Sequence, residues 1–161
     1  MLIGQRVMID TPHIPQTVTQ LSAAIHLVIP REEIQRVMGP GLNELMATIA
    51  AQGIKPVGPW FTHHLRMVPD CWDFEICVPV SAPVVAAGRV RPSQWPAMKV
   101  ARTVYHGPYE GLAHAWGEFL SWIAANGHTP APDLYECYLA GPESCPDPAD
   151  WRTELTKPLT S

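Results

Sequence analysis

The 161-residue sequence repeats itself, and this duplication constrains the fold more than any other feature. Gly53 corresponds to Gly127 at an offset of 74 residues, and each glycine follows an apolar stretch with helical spacing. The same offset relates five pairs of large apolar residues: Leu45 and Phe119, Met46 and Leu120, Ile49 and Ile123, Phe61 and Tyr135, and Leu65 and Leu139. Farther along, Phe74-Glu75-Ile76 corresponds to Thr153-Glu154-Leu155 at an offset of 79, which fits a longer loop in the second half. An ordered series of this kind predicts two structurally similar halves.

Each half has the pattern of a strand, a helix and two further strands. In the second half, alternating β-branched and aromatic residues predict strands at 99–106, 133–140 and 151–159. Between them, Gly107-Pro108 opens a helix and Gly127 ends it.

The first half repeats this order, with strands predicted at 19–28, 57–67 and 72–80 and a helix from Pro30 to Gly53. Gly39-Pro40-Gly41 interrupts that helix and predicts a kink or break, because proline lacks the N–H that the helix needs. A short strand at 84–90 is predicted in the linker between the halves.

These elements predict an α+β fold, a tandem β-α-β-β repeat with antiparallel sheets and one main helix per half. We expect a single domain over residues 1–161, with half-repeats at about 16–80 and 84–159. We expect the helices to cover one face of the sheets. A central ligand cleft would then form on the other face, along the join between the halves.

Composition excludes several classes of protein. Hydrophobic residues make up 47% of the chain, so the 18 prolines do not indicate disorder. The net charge is −4 and there is no basic run, which argues against direct nucleic-acid binding. Because there is no signal-peptide pattern and no apolar run long enough to span a membrane, we expect a cytoplasmic protein without membrane contact.

Neither the cysteines nor the histidines have the spacing of a metal site. The chain has four cysteines but no CxxC pair, and we expect them to be reduced thiols. His63 and His64 are adjacent on a predicted strand, where neighbouring side chains point to opposite faces. We therefore predict no metal and no cofactor.

Strand alternation sorts the central residues into two faces. One face carries Phe61, His63, Leu65, Tyr135, Cys137 and Leu139. The other carries Trp60, Thr62, His64, Arg66, Leu134, Glu136 and Tyr138. We expect the first face, apart from His63, to pack against the helices. The second face mixes large aromatics with a few polar groups, which is typical of a ligand pocket.

Glu136 is the candidate of most interest. A carboxylate among aromatic residues on a half-buried strand is costly unless it is paired or its pKa rises until it is neutral. One interpretation is that Glu136 pairs with Arg66 or another base, or faces water. The other is that it awaits a cationic or hydrogen-bonding ligand, or acts as a catalytic general acid or base.

The remaining candidates also have structural interpretations. Tyr105 and Tyr109 flank the Gly107-Pro108 turn and could serve only in packing, and His64 could be a structural histidine. The predicted ligand-binding set is Glu136, Tyr138, Trp60, His64, Tyr105, Tyr109, Trp116, Trp151 and Glu154. Glu154, with its repeat counterpart Glu75, either faces solvent or is a second pocket acid.

Several segments together resemble the GyrI-like small-molecule-binding domain, the effector-binding module of many AraC- and MerR-type bacterial regulators. In the second half these are residues 104–112, 134–139 and 151–155 with Trp116, Trp122 and Pro158. In the first half they are Gly53, residues 58–61, His64, residues 73–75 and Pro79. The resemblance extends over about residues 16–160.

This resemblance implies a fold akin to the SOUL haem-binding domains, with a central pocket for hydrophobic and often cationic molecules. Glu136 stands at the position of the family's pocket glutamate. Some stand-alone relatives hydrolyse cyclopropane-containing natural products with a pocket acid and aromatic residues. No helix-turn-helix segment is present, so we do not expect a self-contained DNA-binding regulator.

The leading prediction is a stand-alone protein, of the multidrug-binding type, that senses or sequesters hydrophobic, cationic aromatic compounds. The alternative is a detoxifying hydrolase of strained, cyclopropane-containing electrophiles that uses Glu136, with Tyr138 or His64 steadying the leaving oxygen. Whether the chain is an enzyme is left open, and binding is favoured. A third interpretation is a protein-interaction role with a regulator or gyrase-type partner. Haem binding through His64 or His106 is the fourth.

Overall fold

A computed structural model of the chain describes residues 9–142 and 144–160, except for the side chain of Met67. The strands and helices of these residues are β1 (Gln20–Pro30), α1 (Ile34–Ala51), β2 (Phe61–Met67), β3 (Cys71–Pro79), β4 (Val90–Trp95), β5 (Val100–His106), α2 (Leu112–Ala125), β6 (Leu134–Ala140) and β7 (Arg152–Pro158). A 3-10 turn precedes each helix, at Arg31–Glu33 and at Tyr109–Gly111. None of the described helices is long and apolar enough to cross a membrane.

The strands form one antiparallel sheet in the order β4-β1-β3-β2-β6-β7-β5. The first half supplies β1, β2 and β3, the second half supplies β5, β6 and β7, and β4 adds an edge beside β1. The halves meet where β2 pairs with β6. At one edge, β5 is bordered by the N-terminal segment through isolated bridges of Ile9, His13 and Gln16. The predicted α+β fold with one main helix per half is confirmed.

Matching strand registers show how closely the two halves agree. Phe61 pairs with Cys77, and their counterparts Tyr135 and Thr156 pair in the second half. Both hairpins also carry a register shift at the same place, after His64 in β2 and after Tyr138 in β6. Since the halves meet across β2 and β6, they are related by a pseudo-twofold axis at the centre of the sheet.

Glycine ends both helices in the same way. Gly53 and Gly127 have φ values of 70° and 79°, a left-handed conformation that glycine adopts without steric penalty. Each is followed by a residue whose N–H donates to a carbonyl of the last helical turn, Ile49 in α1 and Ile123 in α2. The prediction that a glycine ends the helix in both halves is therefore confirmed.

The sequence predicts a kink or break at Gly39-Pro40-Gly41, and the break does not occur, because α1 runs continuously through Pro40. Helix α1 is 18 residues long and α2 is 14. An interior proline costs about 3 kcal/mol. Burial of Leu45 and Ile49 on the same helix, at about 1.5–3 kcal/mol each, outweighs that loss.

The two helices cover one face of the sheet, here called the helix face. Under α1 lie buried side chains of β1 and β3, and under α2 lie Tyr105, Leu134 and Leu155. The opposite face, here called the back face, has its own apolar cluster around Phe61, Trp95 and Tyr135.

The expectation that Phe61, Tyr135 and Cys137 pack against the helices is therefore wrong, as is the placement of Glu136 on the face opposite them. Leu65 and Leu139, included in the same expectation, stand at the two register shifts, and Leu139 is 43% exposed. Strand alternation tells which residues share a face but not which face the helices cover.

A strand predicted at Val84–Val90 also needs correction. The strand of this region starts at Val90 and continues to Trp95, through Pro92. Proline removes a backbone donor and is tolerated on edge strands. Strand β4 lies at the edge of the sheet and pairs only with β1, so Pro92 disrupts no second neighbour.

Candidate functional site

Glu136 lies at the centre of the helix face, where the two halves meet. It pairs with Thr62 across β2 and β6, and its side chain points toward α2. Trp116 of α2 donates its indole N–H to Glu136 Oε2 at 2.7 Å. The Tyr138 hydroxyl donates to Glu136 Oε1 at 2.9 Å. Both carboxylate oxygens therefore accept a hydrogen bond from an aromatic side chain.

A chain of hydrogen bonds continues from Tyr138 across the junction into the first half. The Thr62 hydroxyl oxygen lies 2.8 Å from the Tyr138 hydroxyl oxygen, and it lies 3.3 Å from Nε2 of His64. Thr62, His64 and Tyr138 are all buried. The chain thus links a carboxylate, a phenol, an alcohol and an imidazole through the pseudo-twofold axis.

No positively charged side chain of the described residues is paired with Glu136. Burial raises its pKa, and the hydrogen bonds from Trp116 and Tyr138 offset this only in part. Within residues 9–142 and 144–160, no ion pair includes Glu136. Arg66 does not supply one, since its Nε donates to Asp73 at 2.6 Å.

Aromatic rings surround the Glu136–Tyr138 pair. Trp60 lies against Tyr138 with ring centroids 4.4 Å apart, and Tyr109 meets Tyr138 edge-on at 6.1 Å. Tyr109 also contacts Trp151 at 4.9 Å. Rings from the segments just before β2, α2 and β7 thus gather around Tyr138, whose hydroxyl donates to the Glu136 carboxylate.

An apolar cavity of about 200 Å³ adjoins Trp60 on the first-half side. Leu42 and Met46 of α1, the loop at 56–59 and Val78 line it together with the Trp60 indole. Trp60 therefore both contacts Tyr138 and lines this cavity. The cavity provides apolar surface next to the aromatic rings around Glu136.

Seven of the nine predicted site residues are joined by these contacts: Glu136, Tyr138, Trp60, His64, Tyr109, Trp116 and Trp151. Tyr105 is used differently, because its hydroxyl donates to the Pro108 carbonyl at 2.7 Å and closes the turn before α2. Its neighbour Gly111 is close enough that an added Cβ would overlap the Tyr105 hydroxyl.

Glu154 lies on the back face, away from Glu136. It pairs with Cys137 and Val104 in the sheet, and its carboxylate lies 3.6 Å from Nε of Arg102. The next residue, Leu155, is buried under α2, so alternation turns Glu154 to the other side. Its repeat counterpart Glu75 also faces the back, where its carboxylate lies 3.6 Å from Nδ1 of His63.

Sequence reasoning places Thr62 on the correct face without assigning it a role. Thr62 is the repeat counterpart of Glu136 at the offset of 74, and a pair of counterparts directly opposite each other marks the pseudo-twofold axis. That relationship is the sequence signal that could have identified Thr62 as part of the site. A neutral hydroxyl on a strand is not unusual in the way that an acid is, although this one connects the two halves of the site.

His63 belongs to a separate cluster on the back face. It stacks on Tyr135 at 4.0 Å, and its Nε2 lies 2.7 Å from Asp133 Oδ2. Burial alone would lower the pKa of His63, but hydrogen bonds to Asp133 and Glu75 raise it overall. Among the described residues, no group of three or more His, Cys, Asp or Glu side chains has an arrangement that could hold a metal ion.

Solved structures with this fold come from several kinds of protein. The C-terminal domain of EcmrR matches over 94% of this chain and 98% of that domain, with a TM-score of 0.83 and 20% identity. In the structure of EcmrR with DNA, the match covers 60% of the EcmrR chain, so the present chain spans about three fifths of that protein.

Two further structures are more distant in sequence. A hydrolase from Listeria innocua matches over 92% of this chain and 91% of its own, with a TM-score of 0.68 and 13% identity. SAV2435, solved with bound tetraphenylphosphonium, matches over 94% and 95%, with a TM-score of 0.63 and 12% identity. At these identities the likeness shows the fold alone.

A comparison with curated protein sequences gave no significant match. The family model described as "GyrI-like small molecule binding domain" matches residues 23–160, which is most of the chain. The matched span includes both halves of the sheet, both helices and the Glu136 site. The chain belongs to the GyrI-like small-molecule-binding domain family.

Proposed function

We propose that this domain binds hydrophobic, cationic aromatic compounds in the cleft around Glu136, and that Glu136 supplies the counter-charge. The observation that carries the proposal is a carboxylate with a raised pKa, two aromatic hydrogen-bond donors and no cationic partner in the described part of the chain. A bound cation would complete this arrangement and favour the ionised acid.

The aromatic rings add a second reason for a cation. A positive charge over the face of a tryptophan or tyrosine ring gains about 0.5–2 kcal/mol. Tyr138 contacts the carboxylate, and the rings of Trp60 and Tyr109 lie against Tyr138. The apolar cavity next to Trp60 would take part of the ligand's hydrocarbon. The solved complex of SAV2435 with tetraphenylphosphonium shows that this fold can hold a ligand of this class.

Calorimetric titration with tetraphenylphosphonium tests the proposal. A hydrogen-bonded charge is worth about 1.5–3 kcal/mol, so Glu136→Gln should weaken binding about tenfold or more. Glu154→Gln is the matched control, because it removes an acid of the same repeat from the back face, and it should leave the affinity unchanged. Equal affinities of the wild type and Glu136→Gln would refute the role of Glu136.

A second candidate is hydrolysis of a strained, cyclopropane-containing electrophile. The hydrogen-bond chain favours it, because Glu136 could accept a proton from attacking water while the Tyr138 hydroxyl steadies the negative charge that develops as the ring opens. One structure with this fold is a hydrolase from Listeria innocua.

The two candidates differ in what happens to the ligand. Binding alone returns the compound unchanged, whereas hydrolysis adds one water molecule as the strained carbon–carbon bond breaks. Mass spectrometry after long incubation with a cyclopropane-containing compound separates them. A product heavier by one water, absent with Glu136→Gln, would establish turnover; intact compound in every sample would exclude it for that substrate class.

A further inference from the structure

The pseudo-twofold axis gives the Glu136 site a counterpart in the first half. His64 occupies the position of Tyr138, because both residues immediately precede the shared register shift. Arg31 and Trp72 occupy the positions of Tyr109 and Trp151. The contacts are also repeated, since the Arg31 guanidinium carbon lies 4.0 Å above the Trp72 ring as Tyr109 lies against Trp151.

Two buried nitrogens of this counterpart have no hydrogen-bond partner in the described structure: Nε of Arg31 and Nδ1 of His64. The rest of each side chain is held in place. Arg31 donates from Nη2 to the Val68 carbonyl at 2.6 Å, and the His64 ring stacks on Phe74 and meets Trp72 edge-on. His64 is only 6% exposed, and a polar atom that deep normally has a partner.

The number of protons in this hydrogen-bond chain decides whether each unpartnered nitrogen, His64 Nδ1 and Arg31 Nε, is a donor or an acceptor. When Glu136 is ionised it can only accept, so the Tyr138 proton points toward it and the Tyr138 oxygen accepts from Thr62. The single Thr62 proton is then used, so Thr62 must accept from Nε2–H of His64. Burial lowers the pKa of His64 to about 4, so the neutral ring carries this one proton. Nδ1 is left as an acceptor, while Arg31 Nε–H is a donor.

We propose that Arg31, His64 and Trp72 form a second half-site that binds a hydroxyl group of the same ligand whose cation lies at Glu136. The hydroxyl would accept from Arg31 Nε and donate to His64 Nδ1, and its aryl carbon would lie by Trp72. This inference rests on the proposed function and narrows the ligand class to aromatic cations that carry a hydroxyl at the far end.

Other groups fit the half-site less well. A second cation would be repelled by Arg31, for which no ion pair is found among the described residues. A carboxylate would satisfy Arg31 but place its lone pairs against the Nδ1 lone pair. An ether would accept from Arg31 and leave Nδ1 without a donor. A hydroxyl both donates and accepts.

Three probes that differ at one position test this half-site: tetraphenylphosphonium and its analogues with one para-hydroxyphenyl or one para-methoxyphenyl ring. One to two added hydrogen bonds should make the hydroxyl analogue bind about tenfold tighter than the parent, with the methoxy analogue gaining less. Arg31→Lys and His64→Gln should each reduce the ratio of hydroxyl to parent affinity toward one. Arg36→Lys, which changes an exposed arginine in the first turn of α1, should keep the ratio near ten.

The outcomes separate the two proposals. If tetraphenylphosphonium binding depends on Glu136 but the hydroxyl analogue gains nothing, the half-site holds only ordered water and this inference fails alone. If binding is indifferent to Glu136→Gln, the proposed function and the inference both fail. Nitrogen NMR of the ligand-free protein is an independent check, because a proton found on Nδ1 of His64 instead of Nε2 would overturn the half-site without any probe.

Discussion

Thr62 and Glu136 face each other across β2 and β6, and each is the counterpart of the other in the duplicated sequence. The pseudo-twofold axis passes between them. At this position, where β2 pairs with β6, the first half has a threonine and the second half has a glutamate. The Glu136 side gathers tyrosine and tryptophan rings, whereas the Thr62 side leads to His64 and Arg31. The Glu136 side therefore carries a carboxylate, and the Thr62 side carries the Arg31 guanidinium.

Removing the Tyr138 hydroxyl should lower stability through the buried atoms that it leaves without a partner. Tyr138→Phe deprives Glu136 Oε1 of a donor and Thr62 of an acceptor, which should cost about 1–3 kcal/mol in urea unfolding. Adding Thr62→Val removes one of those atoms, so the double variant should lose less than the two single variants together. Strict additivity would show that the two hydroxyls are not coupled.

Cation binding should depend on pH through Glu136. Because burial raises the pKa of this acid above its usual 4.5, Glu136 stays neutral to a higher pH than an exposed glutamate does. The affinity for tetraphenylphosphonium should therefore rise as the pH increases through that raised pKa, and then level off. In Glu136→Gln the same titration should be flat, and a flat curve in the wild type would contradict this prediction.

The ion pair of His63 and Asp133 should stabilise the fold over a defined pH range. The folded-state pKa of His63 is raised above 6.5, so its contribution is complete below 6.5 and is lost as the pH rises through the higher folded value. The pKa of Asp133 is lowered from 3.8, so the contribution is also lost when the pH falls through that lowered value. Between these limits Asp133→Asn should cost about 1–2 kcal/mol in denaturant unfolding.

His106→Gln is the control for this pair. His106 contacts Asp10 at 2.9 Å, but Asp10 is 59% exposed and the interaction is screened by water. The variant should change stability by less than Asp133→Asn. A larger effect from His106→Gln would show that burial is not what makes the His63 pair important.

Two glycines of the second half should respond in opposite ways to alanine. Gly111 lies against the Tyr105 hydroxyl, so Gly111→Ala should displace that ring and cost about 1–3 kcal/mol. Gly117 is an exposed position within α2 with nothing within 4 Å of an added Cβ, so Gly117→Ala should stabilise the helix by about 1 kcal/mol. Thermal unfolding of both variants tests this, and a neutral Gly111→Ala would contradict the packing described.

Much of the fold could be predicted from the sequence because its signals are local. Leu45 and Phe119 at equal positions of two apolar stripes indicate the same buried helix position, and both are fully buried. Glu136 could be singled out because an acid is rare on a strand with aromatic neighbours. The face covered by the helices could not be predicted, because alternation is symmetric between the two faces. Whether Glu154 shares a face with Glu136 could not be predicted either, because it depends on the register between β6 and β7.

The rest of the site depends on tertiary relationships. Arg31 and Trp72 are far apart in sequence and meet because β3 pairs with β1, whose last residue precedes Arg31. The Thr62–Tyr138 hydrogen bond exists because β2 pairs with β6, and a pairing between two half-domains leaves no local signal. A proline such as Pro92 argues against a strand in the centre of a sheet. Strand β4 forms through Pro92 because β4 lies at the edge, which depends on the tertiary fold.

The position of tetraphenylphosphonium in a crystal of the complex decides whether Glu136 supplies the counter-charge. We expect the phosphonium centre on the helix face, beside the Glu136 carboxylate and against the rings of Trp60 and Tyr109. A phosphonium bound on the back face beside Glu75 or Glu154, or held in the cleft without contact to Glu136, would contradict it.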